Sequence, residues 1–376
     1  MSRRTLGVAV IGYAFMGKAH SQAWRNVRAF FDIPAAEQKV LVGRDAEQVS
    51  KAAEHYGWAE SATDWQQVIG RDDIDIVDIC APGALHAEIA IAALKAGKHV
   101  LVEKPLANTI AESQAMAAAA GAARNNGIQS MVGFNYRRVP ALAHARRLIA
   151  AGRLGTVREV HASYLQDWLA DEAAPMTWRL RKETAGSGAL GDIASHAIDQ
   201  VQFLLRDTVT DVSARLHTFT RRRPGPDGVE DVTVDDAAWA TLSLAGGAVA
   251  SVHASRVALG RKNSLRIEIY GSKGSLAFDL ERLNELQFLD ATAGPAEEQG
   301  LRRILVTEPG HPYMDAWWPA GHTIGWEHTF THQARDFLTA IRDGIPPSPS
   351  FEDGLQVQRI LAAIEASAAT PATVHL

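Results

Sequence analysis

The sequence predicts a two-domain α/β protein, in which a doubly wound parallel sheet is followed by an α+β domain with a large, mostly antiparallel open sheet. Three observations lead to this prediction. Strand-like and helix-like segments alternate through the first third of the chain, short strand-like runs recur after residue 156, and 376 residues exceed the usual size of one hydrophobic core. We place the domains at residues 1–133 and 134–376, with the final helix, about residues 352–368, free to pack on the first domain.

Short apolar runs, each followed by a helix-compatible segment, define the first domain. The predicted strands are residues 6–12, 39–42, 75–80, 99–102 and 128–132, and the predicted helices are residues 18–31, 46–56, 86–96 and 110–126. This alternation is typical of a parallel sheet with helices on both faces. Ligands of such sheets bind beyond the carboxyl ends of the strands.

The turn after the first predicted strand has the spacing of the dinucleotide fingerprint G-x-G-x-x-G, with Ala14 at the second glycine position. In this motif Gly12 makes the turn, Gly17 lets the helix approach the strand, and amides at the helix start face the pyrophosphate. Phe15 and Met16 lie in the same turn. We therefore expect a Rossmann-type domain that binds NAD(P), although an ordinary glycine turn fits the motif taken alone.

The segment after the second strand, Gly43-Arg44-Asp45, is where a dinucleotide-binding fold usually selects its cofactor. An acid accepts from the ribose 2′-hydroxyl of NAD, whereas an arginine pairs with the 2′-phosphate of NADP or stacks on adenine. Because Arg44 and Asp45 are adjacent, the choice stays open. The simpler interpretation is a solvated turn in which Asp45 caps the next helix.

Three further segments follow strands of the first domain and are expected at the same edge of its sheet. They are 81–83 with Pro82, 103–105 with Glu103 and Lys104, and 133–136 with Asn135 and Tyr136. His86 begins the helix after the first of them. Lys104 can stabilise a developing alkoxide or contact a cofactor phosphate, and Glu103 can be a structural carboxylate of the rim.

Residues 186–199 combine a glycine-rich start with a helical pattern. At about 100° per residue, the apolar side chains share one stripe, while Asp192, His196 and Asp199 lie on roughly the opposite side. An aspartate four residues before a histidine lies one turn away and can orient the imidazole and raise its basicity. The alternative is an exposed polar helix face with an i,i+4 pair.

The second domain is predicted from short strand-like runs separated by turn signals. They are residues 158–165, 209–220, 238–244, 248–253, 265–270, 275–278 and 285–289, followed by helices 327–341 and 352–366. Residues 221–228 read as an exposed hairpin tip rather than a basic binding patch, because Pro and Gly punctuate them. Residues 291–325 read as an irregular lid or oligomer contact.

Composition restricts the partners and the compartment. The formal charge is −5, with 38 basic and 43 acidic residues mixed along the chain, which gives no support for a nucleic-acid or membrane-surface partner. The only cysteine, Cys80, favours the reducing cytoplasm. Arg3 and Arg4 faintly resemble a twin-arginine export signal, but the apolar run after them is short. No histidine spacing suggests a metal site, and the acid–base chemistry suggested by Asp192 and His196 needs no metal.

Several of these motifs together resemble the Gfo/Idh/MocA oxidoreductases, over about residues 8–366. They are the fingerprint, Glu103-Lys104-Pro105, and the Asp192/His196 pair, joined to an antiparallel second domain. Within the family the chain is most similar to levoglucosan and inositol dehydrogenases. The segments that carry this similarity are GKAH at 17–20, HAEIAI at 86–91, FNYRR at 134–138, YLQDW at 164–168, WR at 178–179 and GSGALGDI at 186–193.

The resemblance implies roles for individual residues. Lys104, Asp192 and His196 match the catalytic positions of the family, and NAD(P) is the implied cofactor, with NAD slightly favoured and NADP kept open by Arg44. The implied cofactor contacts are Gly12, Ala14, Phe15, Met16, Gly17, Arg44, Asp45, Pro82, His86, Glu103 and Lys104. The candidate substrate contacts are Lys104, Asn135, Tyr136, Gln166, Trp168, Arg179, Asp192, His196 and His328, with Asp199 beside them.

The implied reaction is hydride transfer from a ring secondary alcohol of a sugar, anhydrosugar, glycoside or cyclitol to nicotinamide. His196 would be the base, oriented by Asp192. Two rivals stay open, namely an NAD-dependent glycosidase that works by transient oxidation and elimination, and a catalytically silent sugar or nucleotide sensor. Because an open antiparallel sheet needs its second face covered, we also expect a homodimer or homotetramer.

Overall fold

A computed structural model describes residues 5–376 of the chain. They form two compact units. The first comprises the chain up to Asn135 together with Gly325–Gln358, and the second comprises Tyr136–Ile324 and Arg359–Leu376. The Arg3-Arg4 pair that resembles an export signal lies outside the described residues. Within the described part, no helix is long and apolar enough to cross a membrane.

The first unit contains a six-stranded sheet in which every neighbouring pair of strands is parallel. Its strands are β1 (Leu6–Ile11), β2 (Ala36–Val42), β3 (Glu60–Ala62), β4 (Ile76–Ile79), β5 (His99–Val102) and β6 (Ser130–Val132). Their order is β3-β2-β1-β4-β5-β6, so the direction of winding reverses between β1 and β4. This confirms the predicted doubly wound sheet, and the reversal point is where such folds bind dinucleotides.

The second unit contains a nine-stranded mixed sheet of order β16-β15-β14-β13-β7-β12-β11-β8-β17 and a separate two-stranded hairpin, β9 with β10. The strands are β7 (Val157–Leu165), β8 (Val209–His217), β9 (Arg222–Gly225), β10 (Gly228–Asp231), β11 (Ala237–Leu244), β12 (Val249–Ser255), β13 (Ser264–Gly271), β14 (Gly274–Asp279), β15 (Glu285–Asp290), β16 (Arg302–Leu305) and β17 (Val374–His375). Strands β7 and β12 pair in parallel, and the other pairs are antiparallel. The mostly antiparallel second sheet is thereby confirmed.

The predicted helices are present, together with three that were not predicted, Trp65–Ile69, Pro140–Ala150 and Lys182–Ala185. The α-helices of the described chain are α1 (Phe15–Phe30), α2 (Ala46–Tyr56), α3 (Trp65–Ile69), α4 (His86–Lys95), α5 (Ile110–Arg124), α6 (Pro140–Ala150), α7 (Lys182–Ala185), α8 (Ser195–Leu205), α9 (His328–Asp343) and α10 (Phe351–Ala369). Caps set several ends by the expected chemistry. The Thr109 hydroxyl accepts from the amide of Glu112 while the carboxylate of Glu112 accepts from the amide of Thr109, which closes a capping box at the start of α5.

Helix α9 belongs to the core of the first unit. Its Phe330 and Phe337 are buried together with Ala23 and Val27 of α1 and with Val10 of β1. Burial of these apolar side chains is the main stabilising contribution available to such a core. For this reason residues 325–358 belong to the first unit. The predicted domains differ, because they assign residues 134–376 to the second domain and allow only the final helix to pack on the first.

The large sheet of the second unit has one buried and one exposed face, because side chains alternate along each strand. Ala162 of β7 is buried beneath α8, whereas its neighbour His161 is exposed. On the exposed face Trp239 of β11 stacks on His253 of β12 with ring centroids 5.2 Å apart, and Val249 is 46% exposed. A flat face with exposed aromatic and apolar groups is thus part of this unit.

The hairpin predicted at residues 221–228 is confirmed except at one arginine, whereas residues 291–325 depart from prediction. The hairpin at β9 and β10 exists, but Arg223 within it is fully buried and donates to the carbonyls of Leu169 and Asp171, so it is not part of an exposed tip. Residues 291–325 contain β16 at the edge of the large sheet, although they were predicted to be irregular. The Arg223 side chain is held by partners 52 and 54 residues away in the chain, which local patterning does not reveal.

Candidate active site

The fingerprint turn between β1 and α1 is shaped by its two glycines. Gly12 has φ of +110°, and a Cβ placed there would lie 2.6 Å from the carbonyl oxygen of Cys80. A Cβ on Gly17 would lie 2.0 Å from the carbonyl oxygen of Gly12. Ala14 has φ of −72°, which any residue adopts, so the position that departs from the motif does not need a glycine.

The start of α1 offers backbone amides to a phosphate. Ala14 is the N-cap, no side chain caps the helix, and its first turn carries no acidic residue. The first amides of the helix therefore keep the donors and the positive dipole end that suit a pyrophosphate. Phe15 is 64% exposed and stacks on Trp326 with centroids 5.5 Å apart, while Met16 packs partly against the core. The turn therefore fits the dinucleotide that the motif implies.

At the segment predicted to select the cofactor, Asp45 is the N-cap of α2, and its carboxylate accepts from the amide of Gln48 at 3.0 Å. Arg44 is exposed. A Cβ on Gly43 would lie 2.1 Å from the ring of Tyr13, so the glycine is needed for this ring to pack on the backbone. The capping interpretation of Asp45 is correct, and Arg44 presents its guanidinium to solvent.

The segment after β4 is held by a buried histidine. The ring nitrogens of His86 lie 3.0 Å from the carbonyl oxygen of Pro105 and 2.9 Å from that of Ala81. Burial lowers the pKa of His86, so the neutral ring donates to one of these carbonyls. His86 thereby links the turn at Pro82 to the turn at Lys104, and its geometry is that of a positioning residue.

Glu103, the residue after β5, is 5% exposed and belongs to a buried polar chain. Its Oε1 lies 2.9 Å from Nε2 of His20, whose Nδ1 lies 2.8 Å from Oδ2 of Asp78. Trp24 donates to the same Oδ2 at 2.7 Å. Burial alone would lower the pKa of His20, but attraction to Asp78 raises it well above its usual value. The imidazole is therefore a cation that donates to both carboxylates.

The same buried region is the only place among residues 5–376 where three potential metal ligands converge. Nδ1 of His20, a carboxylate oxygen of Asp78 and Sγ of Cys80 lie within 4.8 Å of one another. Burial raises the pKa of the Cys80 thiol to about 12, which keeps it protonated, and His20 already donates to two carboxylates. These hydrogen bonds account for the cluster without an ion.

Two predicted substrate contacts of the first unit already have protein partners. Asn135 is buried and donates to the hydroxyl of Thr329 at 2.8 Å. His328 is half-buried, accepts from the amide of Gly325 at 3.1 Å, and has its pKa lowered by burial. Both side chains therefore stabilise the turn before α9, as the structural interpretation of His328 expects.

In the second unit, the predicted catalytic segment combines a π-helical turn with an α-helix. Residues Leu190–Ala194 form a π-helical turn that continues into α8. Asp235 holds the backbone at the start of this turn, because its carboxylate accepts from the amides of Gly188 and Leu190 at 2.8 Å each. Such a turn is a frequent feature of functional sites.

His196 and Asp192 lie at the start of this helix in different surroundings. His196 is 7% exposed, and its ring lies 4.6 Å from that of Tyr136 and 5.9 Å from that of Tyr164. Asp192 has a side chain that is 32% exposed. The apolar stripe is buried as expected, and α8 buries its polar side as well, so the alternative of an exposed polar helix face does not hold for α8.

Asp199 is one of the polar residues that α8 buries. It is fully buried, and its two carboxylate oxygens accept from Nε of Arg137 at 3.0 Å each, with Nη2 of Arg137 at 2.5 Å from Oδ1. Bidentate pairing of this kind occupies both oxygens. Asp199 is therefore a structural residue, and its candidacy as a substrate contact is wrong.

A row of hydrogen bonds begins beside His196. Tyr136 and Tyr164 share a hydrogen bond of 2.8 Å, and Tyr164 donates to Oδ1 of Asn263 at 2.6 Å. Gln166 donates to the same oxygen at 2.9 Å and accepts from the indole of Trp168 at 3.0 Å. Burial raises the pKa of Tyr164 well above its usual value, so its hydroxyl stays protonated. Three predicted substrate contacts thus form one continuous wall.

Two arginines flank this wall. Arg256 is 1% exposed, lies 4.0 Å from Asp192, and is 5.4 Å from the ring centre of Trp168. Arg179 is exposed and lies 4.5 Å from the ring centre of Trp178. The guanidinium of Arg256 therefore lies close to Asp192. The sequence alone did not indicate this cation.

Comparison with known proteins decides the family. Residues 6–134 match an oxidoreductase family described as an NAD-binding Rossmann fold, and residues 142–277 match the GFO/IDH/MocA C-terminal domain. A levoglucosan dehydrogenase of Pseudarthrobacter phenanthrenivorans is 43% identical over 390 residues, which cover 99% of this chain and 98% of that protein. The chain belongs to the Gfo/Idh/MocA oxidoreductase family.

Solved structures of Gfo/Idh/MocA proteins agree with the fold. An oxidoreductase domain protein from Kribbella flavida is 58% identical and superposes with a TM-score of 0.96, with 99% of both chains covered. A levoglucosan dehydrogenase in complex with NADH and levoglucosan is 44% identical, with a TM-score of 0.95 and the same coverage. The predicted family is confirmed, and the chain is an NAD-binding oxidoreductase.

For this Gfo/Idh/MocA protein, sequence reasoning missed five residues that surround the predicted ones. They are His20, Asp78, Tyr164, Arg256 and Asn263. His20 and Tyr164 lie inside segments that carried the family resemblance, so a signal for them was present. The other three reach their partners only through the fold.

Proposed function

We propose that this protein oxidises a ring secondary alcohol of a sugar or anhydrosugar of the levoglucosan class, with NAD⁺ as hydride acceptor. The observation that carries the proposal is the wall from Tyr136 to Trp168 beside His196. It joins a histidine to a row of hydroxyl, amide and indole groups. The full-length similarity to a levoglucosan dehydrogenase supports the anhydrosugar class.

Three residues carry the proposed chemistry. His196 takes the hydroxyl proton, and Asp192, one helical turn earlier, orients the imidazole and stabilises its cationic form. Lys104 donates to the hydroxyl oxygen and holds the negative charge that develops there. When bound, NAD⁺ supplies the hydride acceptor at nicotinamide C4. The amides at the start of α1 would hold its pyrophosphate.

The substrate class follows from the shape and chemistry of the wall. Trp168 is 43% exposed, and its ring offers a flat apolar surface of the kind that packs on the C–H face of a pyranose. Gln166 and Tyr136 present polar groups beside it, and Arg179 adds a cation that donates to hydroxyls. An anhydrosugar combines one apolar ring face with a few hydroxyls, which is the pattern this surface fits.

The finer assignments are also proposals. NAD⁺ is favoured over NADP⁺ by the NADH complexes of a relative, while exposed Arg44 keeps a 2′-phosphate contact open. We propose a homodimer or homotetramer that uses the exposed face of the large sheet, and a cytoplasmic location on the basis of the single cysteine.

A panel of monosaccharides, anhydrosugars, inositols and aryl glycosides, each with NAD⁺ and NADP⁺, tests the proposal by reduced-nicotinamide absorbance. We expect net NADH formation with levoglucosan-like substrates. Glycoside cleavage without net NADH would indicate a glycosidase that uses transient oxidation, and binding without turnover would indicate a sensor. His196→Asn and Lys104→Ala should each lower kcat by roughly a hundredfold or more, and near-normal rates in both would contradict the assignment.

A further inference from the structure

We propose that His20 is a positioning residue of this enzyme, which acts through Glu103 to fix the peptide that carries Lys104. The inference rests on the catalytic role proposed for Lys104. All the residues involved lie in the first unit, and we assign His20 no direct part in the reaction because both of its ring nitrogens already face carboxylates.

The first step concerns how His20 is held. It projects from α1, is 2% exposed, and lies between Asp78 of β4 and Glu103, the residue after β5. Trp24, one turn later on the same helix, donates to Asp78. The ring of Phe330 lies 5.3 Å from the His20 ring. Close packing on every side leaves the imidazole one orientation.

The second step concerns charge. Two carboxylates buried this deeply would repel one another without a cation between them. The imidazolium of His20 donates to both, which reduces the net charge of the group from −2 to −1. A neutral ring could donate to only one of the two, and the other carboxylate would then lose its partner.

The third step leads from Glu103 to Lys104. While Oε1 of Glu103 accepts from His20, its Oε2 lies 3.3 Å from the backbone amide of Lys104. The side chain also packs on Gly133, where a Cβ would lie only 2.7 Å from Oε1. Glu103 is therefore fixed from three directions. If His20 is lost, the Oε1 contact disappears, and the carboxylate that orients the Lys104 peptide is free to rotate.

A double-mutant cycle with His20→Gln and Lys104→Ala tests this inference on the full chain. We expect His20→Gln to lower kcat by roughly ten- to a hundredfold, because a misplacement of about 1 Å has effects of this size, with KM for NAD⁺ and sugar within about threefold. In the Lys104→Ala background the same change should alter kcat by less than about threefold, since there is no ammonium left to position.

Each outcome of the cycle has one meaning. Equal losses in both backgrounds, or no loss from His20→Gln alone, would overturn the positioning role and leave the catalytic role of Lys104 standing. An unchanged kcat in Lys104→Ala would overturn the catalytic assignment and the inference that depends on it. If His20→Gln does not fold, Glu103→Gln tests the same link, because it keeps the shape but weakens the acceptor of the Lys104 amide.

Trp58→Phe is the matched control. Trp58 is also buried against α1 and donates to Ser21, the residue after His20, at 2.9 Å. The substitution removes one buried hydrogen bond and should lower the midpoint of denaturant unfolding without changing kcat. A comparable kcat loss in this variant would show that general weakening of α1, rather than the charge of His20, explains the effect.

Discussion

Nη1 of Arg256 lies 4.0 Å from Oδ2 of Asp192, while Nη2 of the same guanidinium donates to the backbone carbonyl of Asp235 at 2.9 Å. Because Asp235 also accepts from two amides at the entry of the π-helical turn, Arg256 connects that turn to the predicted catalytic aspartate. A buried cation beside Asp192 opposes the effect of this carboxylate on His196.

We therefore expect Arg256→Gln to shift the acid limb of the kcat/KM profile to higher pH. Without the guanidinium, Asp192 attracts a proton on His196 more strongly, so the base becomes neutral only at higher pH. A shift of about half to one pH unit is the expected size. Arg223→Gln is the control, since Arg223 is equally buried but contacts only carbonyls. An unmoved acid limb in Arg256→Gln would contradict the coupling.

Tyr164 should matter for substrate binding more than for the chemical step. Tyr164→Phe removes the hydrogen bonds to Tyr136 and Asn263 and leaves the wall without its middle support. We expect a KM for sugar about ten times higher, with kcat within about threefold, and a loss of roughly 1–2 kcal/mol in unfolding free energy. Initial rates over a range of sugar concentrations measure this. Tyr56→Phe, on α2, should leave both constants unchanged.

Elements with a local cause could be predicted from the sequence. The β5 and α2 bounds agree with the prediction, because an apolar run and a capped amphipathic pattern each fix an element by neighbours in the chain. The fingerprint was also readable, since Gly12 and Gly17 act within a few residues of one another.

Features that depend on residues far apart in the chain could not be predicted from the sequence. His20 meets its partners across 58 and 83 residues, and the π-helical turn depends on Asp235, more than forty residues later. Strand β16 begins with two arginines at the sheet edge and lacks the alternation of a half-buried strand. Asp199 resembled a functional acid only because its bidentate partner, Arg137, is remote in sequence.

Cofactor preference can be separated from helix capping at Asp45. Asn is as good an N-cap as Asp, so Asp45→Asn keeps the bond to the Gln48 amide while it removes a charge that would repel a 2′-phosphate. We expect kcat/KM with NADP⁺ to rise by about tenfold, and Arg44→Ala to lower it. Asp64→Asn, at the cap of α3, is the control. Unchanged NADP⁺ use in Asp45→Asn would exclude a role for its charge.

The exposed face of the large sheet should form the subunit contact. Val249, at the start of β12, is 46% exposed and lies on the same face as the Trp239/His253 stack. We expect the native protein to be a dimer or tetramer by light scattering, and Val249→Glu to yield smaller species, because a charge would be buried in a self-complementary contact. Val229→Glu, on the separate hairpin, should not change the mass. A native monomer would refute the proposal.

His99 should make the stability of the protein depend on pH. Its Nδ1 accepts from the amide of Gln129 at 3.0 Å, and burial lowers its pKa from 6.5 to about 4. The unfolded chain therefore takes up a proton near pH 6.5, whereas the folded chain does so only near pH 4. The stabilisation is complete above pH 6.5 and is lost as the pH falls towards 4.

Between these limits, we expect His99 to contribute a slope of up to about 1.4 kcal/mol per pH unit to the unfolding free energy. Denaturant titrations at several pH values measure the slope. His99→Asn should remove this contribution of up to about 1.4 kcal/mol per pH unit from the slope, because asparagine does not titrate. The variant is expected to be less stable at every pH. The exposed His55 gives the control: if His55→Asn reduces the slope as much as His99→Asn does, burial of the imidazole is not the cause.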